Sequence, residues 1–145
     1  MTMLGFKEAE VAELVRAVSS ADLDREQIEA RFARAMWSGI AEPGDSVAGL
    51  LVAQRGAAGA LAALVERRPA AELASDELAV ADAQLALDRG VPRLNAGTML
   101  QWLRQAARCG ARLRVPGDEF WPSGLDDLDV HGPLALWTRG SDDAC

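Results

Sequence analysis

Paired arginines are the side chains in this sequence whose type and spacing could do chemistry. Arg67 and Arg68 are adjacent, and Arg104 and Arg108 lie four residues apart, which would put them on one face of a helix. A guanidinium group donates several hydrogen bonds in one plane and therefore suits phosphate groups. We predict these four arginines as candidate nucleic-acid-binding residues. The more common role of such pairs, which stays open, is to complement a helix C-terminus or a nearby glutamate.

Groups for catalysis or metal binding are sparse. His131 is the only histidine and lies beside Asp129 in a glycine-flanked turn, where a solvated side chain is expected. Residues 127–132 resemble the start of a calcium loop, but Thr138 stands where a bidentate glutamate would be needed. The glycine-rich phosphate motifs and the serine elbow of hydrolases are missing from the sequence. We therefore predict no catalytic residue, no metal site, no cofactor and no enzymatic activity.

Charge and composition narrow the class of protein. The 145 residues include 22 acidic and 15 basic side chains, a formal net charge of −7 that repels nucleic acid at long range. The two cysteines, Cys109 and Cys145, form no CxxC motif, and reduced thiols in a cytoplasmic protein are predicted. The N-terminus does not have the pattern of a signal peptide, and no apolar run approaches 18 residues, so no membrane association is predicted.

Helical periodicity dominates the first three quarters of the chain, where six helices are predicted. Asp24 followed by Gln27 is the pattern of a capping box at the start of the second helix. Gly56 is predicted to separate the third helix from the fourth by a very short turn. Gly90 is predicted to end the fifth helix in the left-handed conformation. Residues 1–110 are therefore predicted to form a helical domain.

The helical period is lost after Gly110, where two short strands are predicted. ARLRVP alternates in polarity, and LALW is an apolar run between Pro133 and Gly140. Two strands leave open edges, and an open apolar edge is a template for another chain. We therefore predict self-association through the apolar side chains of this segment, which are Leu113, Val115, Leu134, Leu136 and Trp137.

Sequence motifs in this region resemble those of the DNA-processing protein A family, DprA or Smf. RCGARLRVPGDEFWPSGLDDL has a helix closed by glycine, then a strand, then the aromatic-Pro-x-x-Leu element Trp121 to Leu125. GPLALWTRG continues with a strand that ends in Arg139-Gly140. Upstream, LLVAQRGAAGALAAL is similar to the family's pair of helices around a glycine turn. The resemblance runs from about Ala35 to Gly140 and covers the N-terminal region of the family without its Rossmann-like core.

The resemblance implies both a fold and a function. The fold is mainly α, with a SAM-like domain of about six helices over 1–110, in which 1–20 is an added helix, and a short two-strand start of a truncated Rossmann-like sheet over 111–145. Family members are non-catalytic proteins that bind single-stranded DNA and load RecA during natural transformation and recombination. A RecA-type recombinase and single-stranded DNA are therefore the implied partners of the full-length protein.

The chain departs from the family after Gly140. SDDAC replaces the Gly-Ser-Arg loop of the family, so no DNA-binding residue can be carried over from it. The chain is expected to be either a fragment of a longer protein or a short relative that reuses the helical half. The alternative function is a stand-alone helical protein–protein interaction module that does not bind DNA.

Overall fold

A mainly helical fold with a short pair of C-terminal strands is confirmed by the structure, which is a computed structural model. It describes residues 2–4, 6–20, 22–41, 45–93, 96–116, 118, 121–122, 124–125, 127–128 and 133–139. The helices are α1 (Glu8–Val18), α2 (Arg25–Ile40), α3 (Ser46–Val65), α4 (Ala70–Leu73), α5 (Val80–Gly90) and α6 (Ala96–Arg108). The strands are β1 (Thr2–Met3), β2 (Phe6–Lys7), β3 (Ala111–Arg114) and β4 (Leu136–Arg139).

Acidic caps define the starts of α2 and α3. The Asp24 carboxylate accepts a hydrogen bond from the Gln27 backbone N–H at 2.8 Å, and the Gln27 side chain accepts from the Asp24 N–H at 2.9 Å. This is the predicted capping box, which satisfies two backbone donors that a helix start leaves open. The Asp45 carboxylate likewise accepts from the N–H groups of Val47 and Ala48, both at 3.1 Å.

Gly56 divides α3, as the sequence predicts. Its backbone has φ +76° and ψ 160°, a non-helical conformation inside an otherwise continuous run of helical residues. The predicted third and fourth helices are therefore the two halves of α3 on either side of this glycine. The single-turn helix α4 and the hairpin of β1 and β2 were not predicted from the sequence.

The prediction for Gly90 was wrong. Gly90 does not have a positive φ, and the chain continues from α5 into a 3-10 helix at Val91–Arg93. A β-carbon at this position would lie 2.5 Å from Cδ2 of Leu64 and 3.4 Å from Cγ2 of Ile40. Glycine is therefore needed because the end of α5 approaches α3 and α2 closely. Gly110, by contrast, has φ +70° and ends α6 as predicted.

One apolar core joins the helices to the C-terminal strands. Phe32 of α2, Leu61 of α3 and Leu103 of α6 are fully buried in it, and Leu113 of β3 is only 1% exposed. The core residues, including Leu113 and Val115, form one contiguous cluster. Leu113 and Val115 thus belong to the same core as the helices, and the domain boundary predicted at residue 110 stays a prediction.

The strands β3 and β4, here called the C-terminal ribbon, pair in antiparallel register. Leu113 lies opposite Trp137, and Ala111 lies opposite Arg139. Within the described residues the ribbon is a two-stranded sheet, so the outer edge of each strand pairs with no other strand there. A two-stranded ribbon is marginal in water unless it packs on another element, so its packing on the helices decides its stability.

Helix α3 is long and apolar enough to cross a bilayer by length and composition, with 20 residues and a mean hydropathy of 1.5. Half of that stretch is buried within the protein. Gln54, Arg55 and the bend at Gly56 also interrupt it. These features are typical of the core helix of a globular domain, and the absence of membrane association stays a prediction.

Candidate interaction site

An ion pair attaches the C-terminal ribbon to α2. The guanidinium of Arg31 donates to both carboxylate oxygens of Asp118, which follows β3, with one N–O distance of 3.1 Å. Oδ2 of Asp118 also accepts from the backbone N–H of Val115 at 3.0 Å. The two charged side chains are only 17% and 16% exposed. The pair therefore fixes the chain after β3 to α2 in a largely dry environment.

Three further hydrogen bonds connect the ribbon segment to α1 and α2. Arg34 donates to the carbonyl of Leu134 at 2.9 Å, and desolvation by burial lowers the pKa of the Arg34 guanidinium. Nε1 of Trp137 donates to Oγ of Ser38 at 3.3 Å. Arg112 donates to the carbonyl of Ser19, just beyond α1, at 3.1 Å. Both strands are thus held on the helices by polar contacts as well as by the shared core.

Two tryptophans form an open groove between α6 and the ribbon. The rings of Trp102 and Trp137 meet edge to face with centroids 5.2 Å apart, and Trp102 is 39% exposed. The groove has a volume of about 340 Å³. We call it the tryptophan groove, and its lining residues are Trp102, Gln105, Ala106, Cys109, Ala111, Trp137 and Thr138. An exposed aromatic beside small residues suits an apolar side chain of a partner.

The tryptophan groove was not predicted from the sequence, because a single aromatic at helical spacing, such as Trp102, usually packs into a core. The available signal was the stripe Trp102, Ala106 and Cys109 on one face of α6, which pairs a large aromatic with two small residues. That stripe becomes a groove only because Trp137, 35 positions along the chain, packs against Trp102. No local pattern predicts that contact.

Two of the four predicted nucleic-acid-binding arginines form ion pairs with acidic side chains. Arg68 lies 3.3 Å from the carboxylate of Glu66 and 3.4 Å from that of Glu72. The hydrogen bond with Glu72 and the charge of Glu66 raise the pKa of Arg68. Arg104 forms an ion pair with Glu10 of α1. These contacts match the alternative role of the arginines, which is to form ion pairs with nearby glutamates.

The other two predicted arginines, Arg67 and Arg108, lie on different elements. Arg67 has φ +53° at the end of α3, where its N–H donates to the carbonyl of Leu64 and the next N–H donates to Ala63, each at 3.0 Å. This is the pattern of a Schellman helix end, usually occupied by glycine. Arg108 is exposed near the end of α6. The four arginines therefore divide between the end of α3 and α6.

Two of the five apolar residues predicted for self-association are buried in the core of the chain. Leu113 and Val115 are buried in the core and are not available to a second copy. Leu134, Leu136 and Trp137 are half-buried. Self-association stays a prediction, and only these three side chains and the strand edges could support it.

The state of Cys109 departs from the expectation of two reduced thiols. Cys109 is disulfide-bonded in the structure. The one other cysteine of the sequence, Cys145, lies outside the described residues. The predictions for His131 and Asp129 also concern residues outside the described part of the chain. In the part of the chain that is described, no three His, Cys, Asp or Glu side chains are grouped as metal ligands.

Comparisons with family models, curated proteins and solved structures found no match to this chain.

Proposed function

We propose that this chain is the non-catalytic helical part of a DprA-like DNA-processing protein, in which the C-terminal ribbon begins a sheet that other strands continue. The observation that supports this is the fixed position of the ribbon on α2, held by Arg31 and Asp118. A ribbon positioned in this way offers a preformed edge for strand addition.

In this proposal the chain positions the DNA-handling part and does not itself hold DNA. Binding to single strands draws on counterion release by several adjoining cations. Here Arg68 and Arg104 are already paired with glutamates, and acidic groups outnumber basic ones by 22 to 15. These ion pairs and the acidic net charge both lower the electrostatic attraction that nucleic-acid binding requires.

We expect the chain alone to show no appreciable binding to a fluorescently labelled oligothymidine in anisotropy titrations at low salt. Replacing Glu10, Glu66 and Glu72 with glutamine removes the charged partners of Arg104 and Arg68, and this variant should show weak binding that salt abolishes. Tight, salt-sensitive binding by the wild type would contradict the proposal. Two double variants would then locate the DNA-binding surface. In one, both Arg104 and Arg108 are replaced by glutamine; in the other, both Arg67 and Arg68 are.

A second candidate function, favoured by the tryptophan groove, is a stand-alone interaction module. A half-exposed tryptophan in an apolar groove is typical of the anchor sites that dominate protein interfaces. In this reading the groove receives an apolar side chain of a partner protein, and the acidic surface elsewhere discourages contact with nucleic acid.

Capture experiments distinguish the two candidate functions. The interaction module predicts a protein partner that the wild-type chain retains and Trp102→Ala loses, because the substitution removes one wall of the groove. The matched control is Leu128→Ala, which removes another exposed apolar side chain, 47% exposed, that does not line the groove. Equal capture by both variants would contradict a role for the groove. A RecA-type recombinase retained by both variants would favour the DprA-like proposal.

A further inference from the structure

Arg34 carries a half-buried positive charge that no acidic group of the described residues balances. It lies on α2 beside the segment that leads into β4, where its Nη1 donates to the carbonyl of Leu134 at 2.9 Å. The ion pairs found among the described residues do not include Arg34. A charge removed from water is costly unless a counter-charge accompanies it, so an anion beside this guanidinium would be stabilising.

The neighbouring Arg31 shows which kind of counter-charge this face of α2 accepts. Arg31 precedes Arg34 by three residues, so both side chains lie on one face of the helix. The guanidinium of Arg31 donates to both carboxylate oxygens of Asp118. Among the described residues Arg34 uses only Nη1, for Leu134, which leaves the donors on Nε and Nη2 for a second acceptor. Because the guanidinium is a planar fork, these donors suit a carboxylate in the same two-bond arrangement.

The direction of the pKa shift separates Arg34 from an arginine that has acidic partners. Desolvation by burial lowers the pKa of Arg34. The pKa of Arg68, by contrast, is raised by its hydrogen bond with Glu72 and by the charge of Glu66. Arg34 thus bears the cost of burial without the acidic neighbours that Arg68 has. Geometry and electrostatics agree that a negatively charged acceptor would be stabilised at Arg34.

Arg34 lies close to the more open edge of the C-terminal ribbon. In the described part of the chain β3 contacts α1 and α6 as well as β4, whereas β4 contacts mainly β3. Ser38, one turn after Arg34 on α2, accepts from Nε1 of Trp137 in β4 at 3.3 Å. Helix α2 thus runs beneath β4 and the segment just before it. Arg34 is therefore placed to meet a side chain of a strand that adds to β4.

We propose that Arg34 binds a carboxylate of a partner protein, an aspartate or glutamate on the strand that adds to the outer edge of β4. This inference rests on the proposed continuation of the sheet and names the chemistry of the strand that continues it. A single guanidinium in a chain of net charge −7 suits a singly charged carboxylate better than a phosphate backbone, which needs several adjoining cations. Main-chain pairing supplies the rest of the affinity, and the ion pair with Arg34 selects an acidic strand.

Binding of a carboxylate is tested on the full chain with sodium acetate as the probe. The Nε–Hε signal of Arg34 in NMR spectra, assigned by its loss in Arg34→Lys, should shift saturably with acetate and not with sodium chloride at the same ionic strength. The signal of Arg31 is the internal control, because Asp118 already occupies its donors. The absence of an acetate-specific shift at Arg34 would overturn the proposal. A larger shift with inorganic phosphate than with acetate would also overturn it and would indicate a phosphate-bearing ligand.

The cost of the unbalanced charge is tested separately by thermal unfolding. Arg34→Met keeps an apolar side chain and removes the charge, so the midpoint of unfolding should not fall. The matched control, Arg31→Met, should lower the midpoint because it leaves the largely buried carboxylate of Asp118 without its charged partner. An equal fall for both variants would show that Arg34 serves the fold through Leu134 and would overturn its assignment as a binding residue.

Failure of this inference differs from failure of the proposed function. If Arg34 fails these tests while the amides of β3 and β4 are as protected from exchange as those of α2, the proposed strand addition stands and only its acidic partner residue is rejected. If β3 and β4 open independently of the helices, the preformed edge is lost, and the proposed function fails together with the inference at Arg34.

Discussion

Replacing Asp118 with alanine is expected to lower the free energy of unfolding by about 2–3 kcal/mol, because it leaves the largely buried guanidinium of Arg31 without its charged partner. The substitution also removes the acceptor of the Val115 N–H. Urea denaturation followed by far-UV circular dichroism measures the loss. Because the pair holds the ribbon on α2, the variant should also expose Leu113 and bind more of a hydrophobic dye.

The matched control for this pair is the exposed ion pair between Arg25 and Glu8, whose side chains are 55% and 23% exposed. Glu8→Ala should change the free energy of unfolding by less than about 1 kcal/mol, because solvent screens exposed pairs. Replacing Arg31 and Asp118 together with leucine should recover part of the loss, since no unpaired charge is left. Equal losses for Asp118→Ala and Glu8→Ala would contradict the assigned role of the buried pair.

Replacing Gly56 with alanine is expected to destabilise the chain by about 1–3 kcal/mol, because φ +76° with ψ 160° is a conformation essentially restricted to glycine. An added β-carbon would meet no atom within 4 Å, so backbone strain alone accounts for the loss. Thermal and urea denaturation of the variant would measure it.

Gly59 supplies the control within the same helix. It has an ordinary helical backbone, and an added β-carbon would lie 3.5 Å from Cβ of Arg55, a normal contact. Gly59→Ala should therefore stabilise the chain by about 0.5–1 kcal/mol, as alanine does inside helices. If Gly56→Ala is as stable as the wild type or more stable, the bend at Gly56 is not required by the fold.

The features predicted correctly from the sequence are those with local causes. The capping box at Asp24 depends on a residue three positions away, and the break in α3 depends on Gly56 alone. Gly90 shows the limit of such reasoning. Its position at a helix end suggested a left-handed conformation, whereas the real reason is the approach of Leu64 from another helix.

The candidate site could not be predicted because its contacts join distant positions. Arg31 and Asp118 are 87 residues apart, and Trp102 meets a tryptophan on β4. The acidic partner of Arg104 is Glu10, at the other end of the chain. Composition indicated correctly that acidic groups are in excess, but it did not show which arginines they would pair with.

Native-state amide hydrogen exchange tests the central claim, that the C-terminal ribbon and the helices form one folded unit. Because Leu113 shares the core with α2 and Asp118 is paired with Arg31, the amides of β3 and β4 should open at the same free energy as the most protected amides of α2. The claim would be contradicted if the ribbon opened at a free energy lower by roughly 2 kcal/mol or more while the helices stayed protected. The proposed function would then lose the preformed strand edge on which it depends.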